Sequence, residues 1–225
     1  MPEPTDSLHK LQDEFSELTD ALPFFRTALL AYRRFRTARI RWFLQGLDAT
    51  RRALPENEQK RFSAYIASSE GQALLAQYAD AVLRTSSRIS IAALAILFAS
   101  TSQYTPNFRA LATSALDGLT DSAAIAHVRL SLLKRCICAN EPYPVCIVGS
   151  STLSSDRQLQ AVVASPTEFY GVVYDLIRRG MLLPDHSSSR VGGNEWTITF
   201  GVSPHTDVFR DLLQRSQSYL GESTI

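Results

Sequence analysis

The sequence predicts a mostly α protein: a helical bundle over residues 1–139, an irregular connection over 140–153, and a smaller module over 154–225 that carries a short β-hairpin. Three observations carry this expectation. Helix start signals recur through the first 139 residues, whereas period-two alternation is scarce there. The stretch ANEPYPVCIVGSSTLSSD then gathers prolines, a glycine and serines, which interrupt regular structure. Beyond it, a capped amphipathic stretch leads to the alternating run Trp196-Thr197-Ile198-Thr199-Phe200, the pattern of a strand.

Composition sets the outer bounds. The chain has 225 residues, 45% hydrophobic and 20% charged, which suffices for a sizeable core. Its net charge of +1 supplies no global field toward nucleic acid or an anionic membrane. The three cysteines, Cys136, Cys138 and Cys146, are odd in number and clustered, unlike a secreted disulfide framework. The opening MPEPTDSLHK is polar and acidic, unlike a signal peptide. Together these predict a cytoplasmic protein.

The first elements divide by charge. Residues 1–20 carry six acids (Glu3, Asp6, Asp13, Glu14, Glu17, Asp20) and one lysine, Lys10. Residues 21–52 carry eight arginines and one acid, Asp48. Within the second segment lies AYRRFRTARIRWF, with Arg33, Arg34, Arg36, Arg39 and Arg41 among four aromatic rings. On a helical wheel, Leu29, Tyr32, Ile40, Phe43, Leu44 and Leu47 share an arc. Arg34 and Arg41 point away from it, Arg33 and Arg36 fall inside it, and Arg39 sits at its edge. A membrane-surface helix separates its faces, and a phosphate-binding helix collects its bases on one side. This stretch does neither cleanly. Neutralisation by the acidic segment, within one chain or between two, is the reading the charge asymmetry favours. A solvated helix with snorkelling arginines, or contact with nucleic acid or lipid, stays open.

Further helix starts follow in order. Pro55 with Glu56 and Glu58 opens one helix, since proline suits the first turn and acids suit its positive end. Ser69-Glu70 opens another. No Gly or Pro occurs after Gly71 until Pro106, and Thr85-Ser86-Ser87 is the expected break. The apolar run ISIAALAILFA, residues 89–99, is too short for a bilayer, which takes roughly 20 residues. It predicts a buried bundle helix. Thr105-Pro106 caps the next helix, and Asp121 is the expected cap of a helix over 121–138.

The C-terminal signals are the sharpest. After a helix near 154–163, Ser165-Pro166-Thr167-Glu168 forms a capping box with proline at the first helical position. Phe169, Val172, Val173, Leu176 and Ile177 make a clean buried stripe. Gly180 closes the helix after Arg178-Arg179. Residues 181–183 and 196–200 are expected to pair as a hairpin, and Ser203-Pro204 starts a last helix. The stretches DRQLQAVVASPTEFYGVVYDLIRRGML and VGGNEWTITF, in the order helix, helix, hairpin, helix, resemble a winged-helix domain. The resemblance covers about residues 125–215 if the 121–138 helix serves as its first helix. It implies a fold and leaves function open.

In that family the second helix of the pair enters the major groove. Here its outward side shows Thr167, Glu168, Tyr170, Gly171, Tyr174, Asp175 and Arg178, with the one base at the far end. The wing offers only Arg190. This departs from a DNA reader, which needs Lys, Arg, Asn or Gln near the groove. Tyr170 and Tyr174 project together and fit a protein interface or packing on the chain's own helical half.

Catalytic signatures are missing. GxxxxGKS, GxGxxG, HExxH and GxSxG do not occur. Cys136-x-Cys138 is a poor zinc spacing, and the thiols read as small apolar residues. His9, His127, His186 and His205 are scattered, and His205-Thr206-Asp207 is not a catalytic pair. The expectation is a non-enzymatic interaction or regulatory protein without cofactor or metal, which self-associates. Its candidate contacts are Tyr170, Tyr174, Arg33, Arg34, Arg36, Arg39 and Arg41. The alternative is a DNA-binding regulator using Arg34, Arg41, Arg178 and Arg190. A third possibility is a membrane-acting effector working through residues 89–99.

Overall fold

The computed structural model describes residues 23–100, 103–137, 142–163, 165–185 and 196–220, with side chains of the first segment from Arg33 onward. The fold is built around one short helix. In ISIAALAILFA every side chain is apolar or small, so no face of a helix made from it suits water. The run forms α4 (Arg88–Ala99), and each residue from Ile89 to Ala99 is buried.

Around it lie α1 (Pro23–Ala53), α3 (Ser69–Arg84), α5 (Pro106–Leu116), α6 (Asp121–Ser131) and, from the far end of the chain, α10 (Pro204–Tyr219). The helix α2 (Glu56–Ala67) pairs with α3. The longest of these, α1, lies most extensively along α4. The approach is close: a Cβ added to Gly46 would stand 2.8 Å from the Ala95 Cβ. Phe98 gathers an aromatic cluster, with ring centroids of Phe43 at 6.4 Å, Phe62 at 6.1 Å and Tyr78 at 5.4 Å, all edge-on.

The caps explain where helices begin. Ser68, Ser87, Thr105 and Thr120 each accept a backbone N–H from three residues ahead, at 2.9–3.2 Å. The break at Thr85-Ser86-Ser87 occurs as the sequence predicts. Asp121 has a different role from the one expected. Thr120 caps α6, and the Asp121 carboxylate instead accepts from Ser87 Oγ at 2.5 Å and from the Ile89 backbone N–H at 3.3 Å. It therefore supports the start of the neighbouring α4.

The second half departs from expectation in three places. The helix expected over 121–138 stops at Ser131. Cys136 then exchanges two backbone hydrogen bonds with Val145, at 2.8 and 2.9 Å. The stretch expected as an irregular connection, 140–153, contains β1 (Val145–Gly149) and most of α7 (Ser150–Ser155). The strand β2 (Thr197–Gly201) pairs with β1, antiparallel, from Val145↔Gly201 to Gly149↔Thr197. Residues 181–183 contribute only one bridge, Leu183↔Gly201, so the main partner of β2 is the earlier strand. Finally, the single helix near 154–163 is two, α7 and α8 (Arg157–Val162). Asp156 separates them: its carboxylate caps α8 through the N–H groups of Gln158 and Leu159 and also holds Arg129, with Nη2 at 2.9 Å.

The capped helix forms where it was expected, with Val172 and Ile177 of the expected buried stripe only half-buried. In α9 (Pro166–Arg178), Ser165 Oγ accepts from the Glu168 N–H, and Phe169, Val173 and Leu176 are buried. Gly180 ends it at φ +72°, a left-handed position suited to glycine. The last helix, α10, packs on α4 and α6, and Phe209 meets the rings of Phe108 and His127. One continuous hydrophobic cluster thus runs from Phe43 to Leu213. Among the described residues, no helix is long and apolar enough to cross a membrane.

Candidate interaction surfaces

The basic segment lies on α1, and packing divides it. Residues 33–37, RRFRT, are exposed throughout, and Phe35 keeps 63% of its surface in solvent. Burial begins farther along the helix, with Phe43 and Leu47 against the core. Leu44, expected on the apolar arc, is 53% exposed instead. Arg33 and Arg36, which the wheel placed on the apolar arc, are also exposed. The wheel treats all turns of a helix as equally packed, whereas here residues 33–37 are exposed and burial is concentrated at Phe43, Gly46, Leu47 and Thr50. Leu29 and Tyr32 lie outside the described side chains.

The five arginines differ in employment. Arg39 is half-buried, and its Nη1 donates to the Leu83 carbonyl at 2.6 Å. It braces the negative end of α3 and is not free for a partner. Arg33, Arg34 and Arg41 are exposed and form no side-chain hydrogen bond or ion pair among the described residues. Near the body, Arg88 lies over the Trp42 ring at 5.2 Å. Farther on, Asp48 takes Arg51 at 3.0 Å and Arg52 at 2.5 Å, which closes the basic stretch with local pairs. The acidic segment 1–20 lies outside the described residues. Phe35 is an exposed aromatic residue that the sequence pattern alone did not single out. Its signal was present: RRFRT holds one apolar residue, too few to bury a helical turn.

The second surface is on α9. Tyr170 and Tyr174 are exposed, 44% and 61%, and their rings stack at 6.5 Å with 15° between planes. Both side chains are among the exposed large hydrophobic residues of the described chain. Arg178, the one base on this side, donates to Asp175 at 2.6 Å, and Asp175 also takes Arg179 at 2.7 Å. Arg179 is spent on structure too, since its Nη1 donates to the carbonyls of Ala115 and Asp117. Arg190 lies outside the described residues.

His127, Cys146 and Asp207 are engaged within the fold. His127 is fully buried, and burial pushes its pKa down to about 4. Its Nε2 lies 3.3 Å from the Thr206 carbonyl oxygen, which assigns the hydrogen to that nitrogen. Cys146 is buried, and burial pushes its thiol pKa up. Asp207 takes bidentate donation from Arg135 and a bond from Arg210 at 2.8 Å. No group of three His, Cys, Asp or Glu among the described residues is placed to hold a metal ion. No protein-family model, no curated protein and no solved structure matches this chain.

Proposed function

We propose that this chain is a non-enzymatic interaction or regulatory protein of the cytoplasm that self-associates through the exposed residues 33–37 and Arg41 of α1. The observation that carries the reading is the set Arg33, Arg34 and Arg41, exposed and without ion pairs among the described residues, around the exposed Phe35. The chain contains a complement to it in the six acids of residues 1–20. Charges of this kind steer association and register, while an apolar anchor such as Phe35 supplies binding energy. Tyr170 and Tyr174 give a second contact surface, since stacked tyrosines present a rigid amphipathic patch.

Light scattering coupled to size exclusion tests this. The expected result is a dimer or larger species at low salt that dissociates at high salt. The triple variant Arg33→Glu/Arg34→Glu/Arg41→Glu is expected to be monomeric with unchanged helicity. A monomer mass at every salt and protein concentration would refute self-association.

A DNA-binding regulator is the second reading, and one observation favours it. The order α6, β1, α7 and α8, α9, the Leu183 bridge and β2 resembles a winged-helix domain. The face of α9 argues the other way, because Glu168 and Asp175 carry acid there and Arg178 is tied to Asp175. Duplex DNA included in the same runs separates the two readings. A monomer that shifts with DNA at low salt would replace the self-association reading, since phosphate contacts weaken steeply with salt.

A further inference from the structure

Thr105 and Pro106 fix the start of α5, so Pro106, Arg109, Ala110 and Thr113 fall on one side of it, at helical spacing. On α3, Leu74, Gln77 and Tyr78 share a face by the same rule. The two faces border an open pocket of about 480 Å³, with exposed Gln77, Pro106 and Ala110 at its mouth and buried Tyr78 in its wall, within the size range of small-molecule sites. At one end Arg84 Nε donates to Asp117 Oδ2 at 2.8 Å, so these two charges satisfy each other.

Two polar groups in the wall are not satisfied. Tyr78 is only 3% exposed, and its hydroxyl makes no well-aligned hydrogen bond among the described residues, although the Thr113 side chain and Arg109 are its polar neighbours. Arg109 Nε is likewise buried without a partner, and the Arg109 guanidinium enters no ion pair among those residues. Buried donors left unpaired are costly and rare. Burial raises the Tyr78 pKa, so the phenol keeps its proton and donates. Both orphaned groups are therefore donors, and one is cationic. Their common complement is an acceptor with negative charge. Leu74, Pro106 and Ala110 add an apolar wall that an inorganic ion would not use.

We propose that the pocket between α3 and α5 binds the oxyanion group, carboxylate or phosphate, of a small organic molecule, with Arg109 as its ion-pairing residue and Tyr78 as a hydrogen-bond donor. The site is remote in chemistry from the α1 surface and does not depend on self-association.

The test is a titration of the ¹⁵N-labelled full chain, read at the Arg109 Nε–H resonance. The probes are benzoate, phenyl phosphate, benzamide and inorganic phosphate. The expected result is a saturable shift with benzoate or phenyl phosphate and none with benzamide. Whichever of the two saturates at lower concentration names the group. Arg109→Gln is expected to weaken binding at least about tenfold, and Tyr78→Phe, which keeps the ring in the core, several-fold. Should Arg109→Gln fail to fold, Tyr78→Phe and the wild-type titration still decide. No saturable shift with either acid, or an equal response to benzamide, would overturn the proposal. Inorganic phosphate binding as tightly as phenyl phosphate would overturn its organic part.

Discussion

In the core, the His127 ring stands edge-on to Phe209 at 6.1 Å, and Nε2 is bound to the Thr206 carbonyl. Burial is the main reason that its pKa falls from 6.5 to about 4. The unfolded chain therefore binds this proton more readily than the folded one. Stability is complete above pH 6.5 and is lost as pH falls toward 4. The loss amounts to about 2 kcal/mol at pH 5 and about 3 kcal/mol in full. The carboxyls of Asp156, Asp175 and Asp207 lie below their ordinary 3.8, so the stability they contribute is lost at lower pH. Of these four groups, His127 is the one whose contribution changes between pH 4 and 6.5. Urea unfolding at pH 7 and pH 5 is expected to show the drop, and His127→Gln is expected to remove most of it. A variant with an undiminished slope would assign the effect elsewhere. Asp121 gives a second expectation, because it accepts from Ser87 and from the Ile89 N–H at the start of α4. Asp121→Ala is expected to cost about 1–2 kcal/mol in the same assay.

Helix packing makes the sign of one substitution informative. In an exposed helix interior, Gly→Ala stabilises by up to about 1 kcal/mol. Gly46 lies in α1 where a new Cβ would stand 2.8 Å from Ala95 Cβ. A methyl group fixed to a buried helix cannot rotate away, so the two helices must separate. Overpacking of this kind costs about 1–3 kcal/mol, which exceeds the propensity gain. Gly46→Ala is therefore expected to lower the melting temperature, and Ala95→Gly in the same chain to restore part of it. Retained or increased stability in the single variant would show that α1 and α4 can part cheaply. The elements that were legible in the sequence are those specified locally. Thr105-Pro106, Ser165-Pro166 and Ser203-Pro204 each place a cap and a proline at a helix start, and all three helices begin there. The strand β1 was not legible as such. It is a short apolar run beside Pro142 and Pro144, and its partner β2 lies far along the chain. Pairing with β2 makes it a strand, and the hairpin reading had already assigned that partner to residues 181–183.

At the scale of the molecule, the candidate surfaces and the core differ in how far the sequence specifies them. Charge segregation between residues 1–20 and 21–52 is visible in the sequence, because it depends on composition alone. The pocket of Tyr78 and Arg109 is not, because it exists only once α3 and α5 are side by side. The same reasoning applies to the division into a bundle and a C-terminal module. The connection between them reads as a boundary, yet the hydrophobic cluster runs across it. The apolar helix α4 has no polar face to expose, and α10 covers part of it with a stripe of Phe209, Leu212 and Leu213. Each of these side chains contributes roughly 1.5–3 kcal/mol by burial. Losing three removes most of the ~5–15 kcal/mol that a domain typically has. A fragment ending at residue 139 would present that side of α4 to water. It is expected to lack a cooperative melt and to aggregate, whereas the full chain is expected to lose near- and far-ultraviolet circular dichroism in one coincident transition. A fragment that melts cooperatively on its own would show that α1, α3, α5 and α6 suffice to bury α4, and that the C-terminal module is an independent unit.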